Sequence, residues 1–205
     1  MRRPPIDPIA KDIARRKYGL PDCLHVPLAA RDITAIESHI GSIVRPLGRG
    51  TPVNAYLIDA YPAPPIDERY PIWAKPESEI FHRRKQVWVD VRYTRYRAAY
   101  RKAFPDEDIS GKVLSHALNR RVAAMKDFQY VCITPTSRGA NSSSAFTEQW
   151  GVDHHSDPKR KLRRKCLGAE IQYADLTDLL LMMDIKLGGG RQSVVNEAQA
   201  LVRLA

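Results

Sequence analysis

The sequence predicts an α+β fold: a small sheet packed by several amphipathic helices, with a Pro-rich N-terminal segment. Three observations carry this expectation. Residues 86–92 (QVWVDVR) alternate, with Val87, Val89 and Val91 on one face and Trp88 and Asp90 on the other, which is the two-residue period of a strand built from good β-formers. Residues 128–134 (FQYVCIT) are a short apolar run of the kind found in buried strands. Residues 111–126 place Val113, Leu114, Ala117, Leu118, Val122 and Met125 at helical spacing, an amphipathic stripe.

The remaining elements follow in chain order. Ten of the 15 prolines fall within residues 1–65. Proline fixes φ and removes a donor, so this part should be turns, short helices and extended pieces. Within it, residues 7–18 suit a short basic helix, and residues 32–44 a second one with Ile33, Ile36, Ile40 and Val44 on one side. Residues 53–60 (VNAYLIDA) read as a strand, and residues 61–65 (YPAPP) break the chain. The division expected is a segment over 1–65 and an α+β domain over 66–205. After the strand at 86–92, residues 93–104 read as a helix stopped by Pro105, and Ser110 as the N-cap of the helix over 111–126. Residues 135–144 (PTSRGANSSS) read as a polar loop. Residues 173–187 form the next helical pattern, ended by Gly188–Gly190, and Ser193 opens a last one over 193–204.

Composition narrows the class. Hydrophobic residues at 43% and charged residues at 27% are ordinary for a globular chain of 205 residues, which excludes wholesale disorder. No apolar run reaches the roughly 18 residues of a membrane helix. Cys23, Cys132 and Cys166 are far apart and contain no C-x-x-C, so neither a zinc ribbon nor a disulfide framework is expected. Met1–Pro5 is charged, but no apolar stretch follows it, so a cytoplasmic, nucleoid-associated location is expected. Lys+Arg number 33 against 23 Asp+Glu, a net charge of +10. Such an excess points to a polyanionic partner, with nucleic acid foremost, in a nucleoprotein assembly that holds other proteins and no membrane.

The cations cluster. Arg83, Arg84, Lys85, Arg92, Arg95, Arg97, Arg101 and Lys102 fall in one stretch with a single acid, Asp90, and with Trp88, Tyr93, Tyr96 and Tyr100 interleaved. This reads as a phosphate-contacting surface, the aromatics being either stacking groups or core. Lys159, Arg160, Lys161, Arg163, Arg164 and Lys165 form a second basic run. On the helix predicted for 111–126, Lys112, His116, Asn119 and Arg120 share the polar face, side chains suited to phosphates or base edges. Arg138 lies in the polar loop, beside Gly139, where backbone N–H groups can cradle a phosphate. The expected function is non-enzymatic nucleic-acid binding. DNA is favoured over RNA because no aromatic RNA-binding motif appears on either strand. No cofactor is expected.

Two alternatives come from other classes. His116, Asn141 and His154 or His155 occur in the order His, Asn, His, which is similar to the HNH class of nucleases. The resemblance implies His116 as the base, Asn141 and His154 as orienting or ligating residues, and a divalent metal such as magnesium. The chain departs from the family where Ser115 stands before His116, a place where the family has a metal-holding acid. The other alternative is a structural or inhibitory protein binding an acidic protein surface. No Walker A sequence, dinucleotide fingerprint or G-x-S-x-G elbow is present.

Overall fold

A computed structural model describes residues 26–61, 83–142 and 169–174, and with them the helical residues Asp178 and Met182. The elements run β1 (Pro27–Ala30), α1 (Ile33–His39), β2 (Gly41–Pro46), β3 (Ala55–Ala60), β4 (Lys85–Asp90), α2 (Tyr96–Ala103), β5 (Lys112–His116), α3 (Arg120–Met125), β6 (Tyr130–Ser137) and β7 (Ile171–Tyr173). All seven strands belong to one antiparallel sheet in the order β2-β3-β4-β6-β1-β7, with β5 also on β6. The architecture is therefore a curled sheet with short helices around it. It is not the expected small sheet packed by several amphipathic helices.

The longest strand, β6, organises the sheet. One of its edges takes β4, in the register Val87↔Ile133 and Val89↔Val131. Its other edge is shared: β1 pairs at Tyr130 and Val131, and β5 takes over from Ile133 to Ser137. Helix α1 touches β2 at one margin of the sheet and β1 and β7 at the other. A single short helix reaches both margins because the sheet curls.

Both faces are buried, which accounts for the continuous apolar character of the central strands. One face gathers Ala29, Ala55, Leu57, Val87, Val89, Leu114, Val131 and Ile133 under Ala99 and Tyr100 of α2. The opposite face, by the two-residue period, carries Tyr56, Ile58, Trp88, Tyr130 and Cys132. Trp88 and Ile58 are fully buried there, so the Trp88 side of β4 is as deep in the core as its valine side. Tyr93, Tyr96 and Phe104 pack against the first face, which makes the aromatic stripe of residues 93–104 part of the core.

Four expectations are corrected by particular contacts. The helix over 111–126 is a strand, β5, followed by the short helix α3. Gly111 turns at φ +73°, and residues 112–116 pair with a partner some 20 residues on, which a local apolar pattern cannot reveal. Ser110 caps nothing: its backbone N–H donates to Asp108 Oδ1 at 2.8 Å. The helix over 32–44 stops at His39, because Gly41 begins β2 and lies against β3 so closely that a Cβ there would come within 2.1 Å of the Asp59 carbonyl oxygen. The loop over 135–144 is instead the end of β6 and a helical stretch at 138–142, since β5 extends the β6 edge to Ser137. The start of the helix over 173–187 is taken by β7, with Asp178 and Met182 helical.

The helices expected over 7–18 and 193–204 lie outside the described residues. So do most of the 61–65 break and the basic run 159–165. Strands β1, β2 and β3, all before residue 61, stand in the same sheet as β4 to β7. Among the described residues no helix is long and apolar enough to cross a membrane.

Candidate phosphate-binding surface

The predicted phosphate-binding cations among the described residues divide into two groups. Arg83 is a structural residue. Its Nη1 donates to the Tyr100 hydroxyl at 2.7 Å and to Glu107 Oε1 at 3.1 Å, and its Nη2 to Glu107 Oε2 at 2.5 Å. The guanidinium also lies 3.9 Å over the Phe104 ring. Arg84 and Lys85 flank Asp59 on β3, at 3.2 Å and 2.9 Å. These contacts, the Lys85 hydrogen bond first, hold the Asp59 carboxyl below its usual range. Three of the predicted phosphate ligands are thus already neighbours of carboxylates.

The second group makes no ion pair with a carboxylate among the described residues, although Lys112 lies near enough to Asp108 to help lower its carboxyl. Arg92, Arg95, Arg97, Arg101, Lys102, Lys112, Arg120 and Arg138 are all exposed, and none of them joins an ion pair there. Helix α2 explains five of these. Its inward positions are Tyr96, Ala99, Tyr100 and Ala103, spaced three and four apart. That spacing turns Arg97, Arg101 and Lys102 to solvent, with Arg95 at the N-cap and Arg92 just before it. Arg97 stacks 4.7 Å over its neighbour Tyr96. The helix contains no acid, so its outer face is uniformly positive.

Histidine 116 ends β5. The period of the strand puts it on the same face as Leu114, under α2, and the Tyr96 ring packs 4.4 Å from the imidazole. Nε2 is closed off from solvent and makes no hydrogen bond. Burial, and then the nearby guanidiniums of Arg120 and Arg97, push the imidazole down to about 4. His116 is therefore neutral at pH 7. Asn119 has a different task from the one its spelling suggested. It is the N-cap of α3, its Oδ1 accepting from the N–H groups of Arg121 at 2.9 Å and Val122 at 3.4 Å.

The constellation implied by the HNH resemblance is only partly on view. His116 stands opposite Ile133, whereas Asn141 follows the far end of β6, beyond Ser137 opposite Lys112. Four strand residues, about 13 Å of rise, separate those two rungs. His154 lies outside the described residues. Among the described residues no three His, Cys, Asp or Glu side chains are grouped so as to hold a metal.

A small hollow, open to solvent, lies beside Arg83, Tyr100, Phe104 and Cys132. Arg83 on its wall is already engaged by Glu107. The Cys132 thiol is pushed up to about 12, chiefly by burial, which leaves it inert as a nucleophile.

Sequence reasoning found the cations and His116. It missed the convergence of α2, β5 and the start of α3, which only the β5–β6 pairing creates. No protein-family model, curated protein or solved structure matches the chain.

Proposed function

We propose that the chain is a nucleic-acid-binding protein, with DNA favoured over RNA, that grips phosphates through the outer face of α2 and the cations beside it. One observation carries the reading: Arg92, Arg95, Arg97, Arg101 and Lys102 stand exposed on one short stretch with no carboxylate partner among the described residues. Unpaired cations held side by side repel one another, and a phosphate chain relieves that repulsion while releasing condensed counterions. Duplex is favoured over single strands because the sheet offers bases little to stack on. Trp88 and Tyr130 are buried, and Tyr61 is the exposed large aromatic among the described residues.

The test is fluorescence anisotropy on duplex DNA, single strands and RNA over a salt series, with and without chelator. The paired substitution Arg97→Glu and Arg101→Glu should weaken duplex binding and flatten the log–log salt slope by about 1.8, the share of two phosphate contacts. Unchanged affinity and slope would overturn the reading. Metal-dependent cleavage would favour the nuclease alternative, and a complex with an acidic protein that survives nuclease treatment would favour the third.

A further inference from the structure

We propose that the end of β5 is a site for a single phosphate group, whose oxygens bridge the guanidiniums of Arg97 and Arg120 and complete the hydrogen bonding of His116 Nε2. This deepens the nucleic-acid reading and rests on it only for the phosphate belonging to a polymer.

The observations that lead there are independent of one another. A ring nitrogen closed to solvent and without a partner is rare in folded proteins, where buried polar atoms are paired, and such an orphan calls for a ligand or a functional role. Two exposed arginines from different elements flank it: Arg97 of α2 stacks on the Tyr96 ring that packs against the imidazole, and Arg120, four residues after His116, opens α3; both guanidiniums oppose its protonation. Neither of them joins an ion pair among the described residues. A cation is unwelcome between two guanidiniums, so the ligand is an anion. Two guanidinium forks and a third nitrogen donor suit the several oxygens of a phosphate better than the two of a carboxylate.

The Tyr96 ring packs against the imidazole and carries Arg97 on it. Both belong to the first turn of α2, and they must shift for an anion to reach Nε2. The site has a built-in proton linkage. The charged groups that bear on His116 are Arg97 from α2 and Arg120 at the start of α3, and the titratable side chain packed on it is Tyr96, through its ring; its rung partner on β6, Ile133, is apolar. Both charges oppose protonation of the empty site. A phosphate seated between them reverses that field, so binding takes up a proton onto His116 and strengthens as pH falls.

The experiment uses the full chain and follows the His116 ring by NMR, assigned from its loss in His116→Gln, during titration with inorganic phosphate, a mononucleotide and short duplex DNA. The phosphate probes should move the His116 resonance to its protonated position, with affinity rising about tenfold from pH 7 to pH 5.5. Arg97→Gln and Arg120→Gln should each weaken phosphate binding about tenfold, and Arg49→Gln, on the turn before β3, should not. His116→Gln should lose the pH dependence; should it fail to fold, Arg120→Gln read at the native histidine decides. Phosphate binding that leaves the His116 resonance unmoved, or that Arg49→Gln weakens as much as the other two, overturns the site. Loss of duplex binding in the Arg97/Arg101 variant without any phosphate response at His116 overturns the site and spares the wider reading. A phosphate response without duplex binding at low salt does the reverse, and assigns the site to small phosphate ligands.

Discussion

Gly41 is the residue whose identity the fold constrains most tightly. It stands opposite Ala60 where β2 begins, and a methyl group added there would meet the Asp59 carbonyl oxygen at 2.1 Å and the Ala60 Cα at 2.6 Å. These are backbone atoms of β3, so no flexible side chain is there to yield. Gly41→Ala should therefore destabilise by about 3 kcal/mol or more, by the mechanism of overpacking; a denaturant midpoint close to that of the native chain would refute the close approach. At the same scale the cations sort by their neighbours. Arg83, Arg84 and Lys85 are adjacent in sequence to the free arginines yet are bound to Glu107 and Asp59. A sequence shows the charges and not who stands opposite them. The division therefore became visible only once β3 was seen beside β4 and residue 107 was seen folded back on α2.

Among the elements, α3 depends most on its cap. Six residues make a helix with little stability of its own, and Asn119 satisfies two of its first N–H groups. Asn119→Ala should cost about 1 kcal/mol of stability, read by thermal or urea unfolding, and should also disturb the position of Arg120. A change in DNA sequence preference at unchanged stability would instead support the base-reading role that its place in the sequence suggested. Elements were legible where their pattern was local. Residues 86–92, 93–104 and 128–134 show their character within a few positions, and β4, α2 and β6 sit there with ends displaced by a few residues. Elements fixed by distant pairing were not legible. Residues 112–116 have apolar spacing that suits a helix as well as a strand, and the free edge of β6 decides between them. Residues 41–44 read as a continuation of the preceding helix because Ile40 and Val44 happen to continue its period.

For the whole molecule, pH is the most revealing variable. His116 takes a proton near 6.5 when unfolded and only near about 4 when folded. The unfolded chain therefore binds the extra proton between those values. Stability from this group is complete above about pH 6.5 and is lost as pH falls toward about 4. Thermal midpoints should decline over that interval in phosphate-free buffer, and His116→Gln should flatten the decline; parallel profiles would show that the imidazole is not shielded. The carboxylates Asp59 and Glu170 act in a lower window. Both are held below their ordinary values, Asp59 first by Lys85 and Glu170 first by His39, so their contributions are present above the ordinary carboxylate range and are lost as the pH falls through it. The overall architecture was the least legible feature. That seven strands share one curled sheet follows from β6 offering three partners along two edges, a property of no single segment.

The placement of β1 has a consequence for biosynthesis. This strand, at residues 27–30, pairs with β6 on one side and with β7 on the other, and both partners are made a hundred residues or more later. On a ribosome it emerges early and stays without its slot until residues 130–173 have followed. Its edges are then open to pairing with neighbouring nascent chains, and closure of the sheet must wait until residue 173 has emerged.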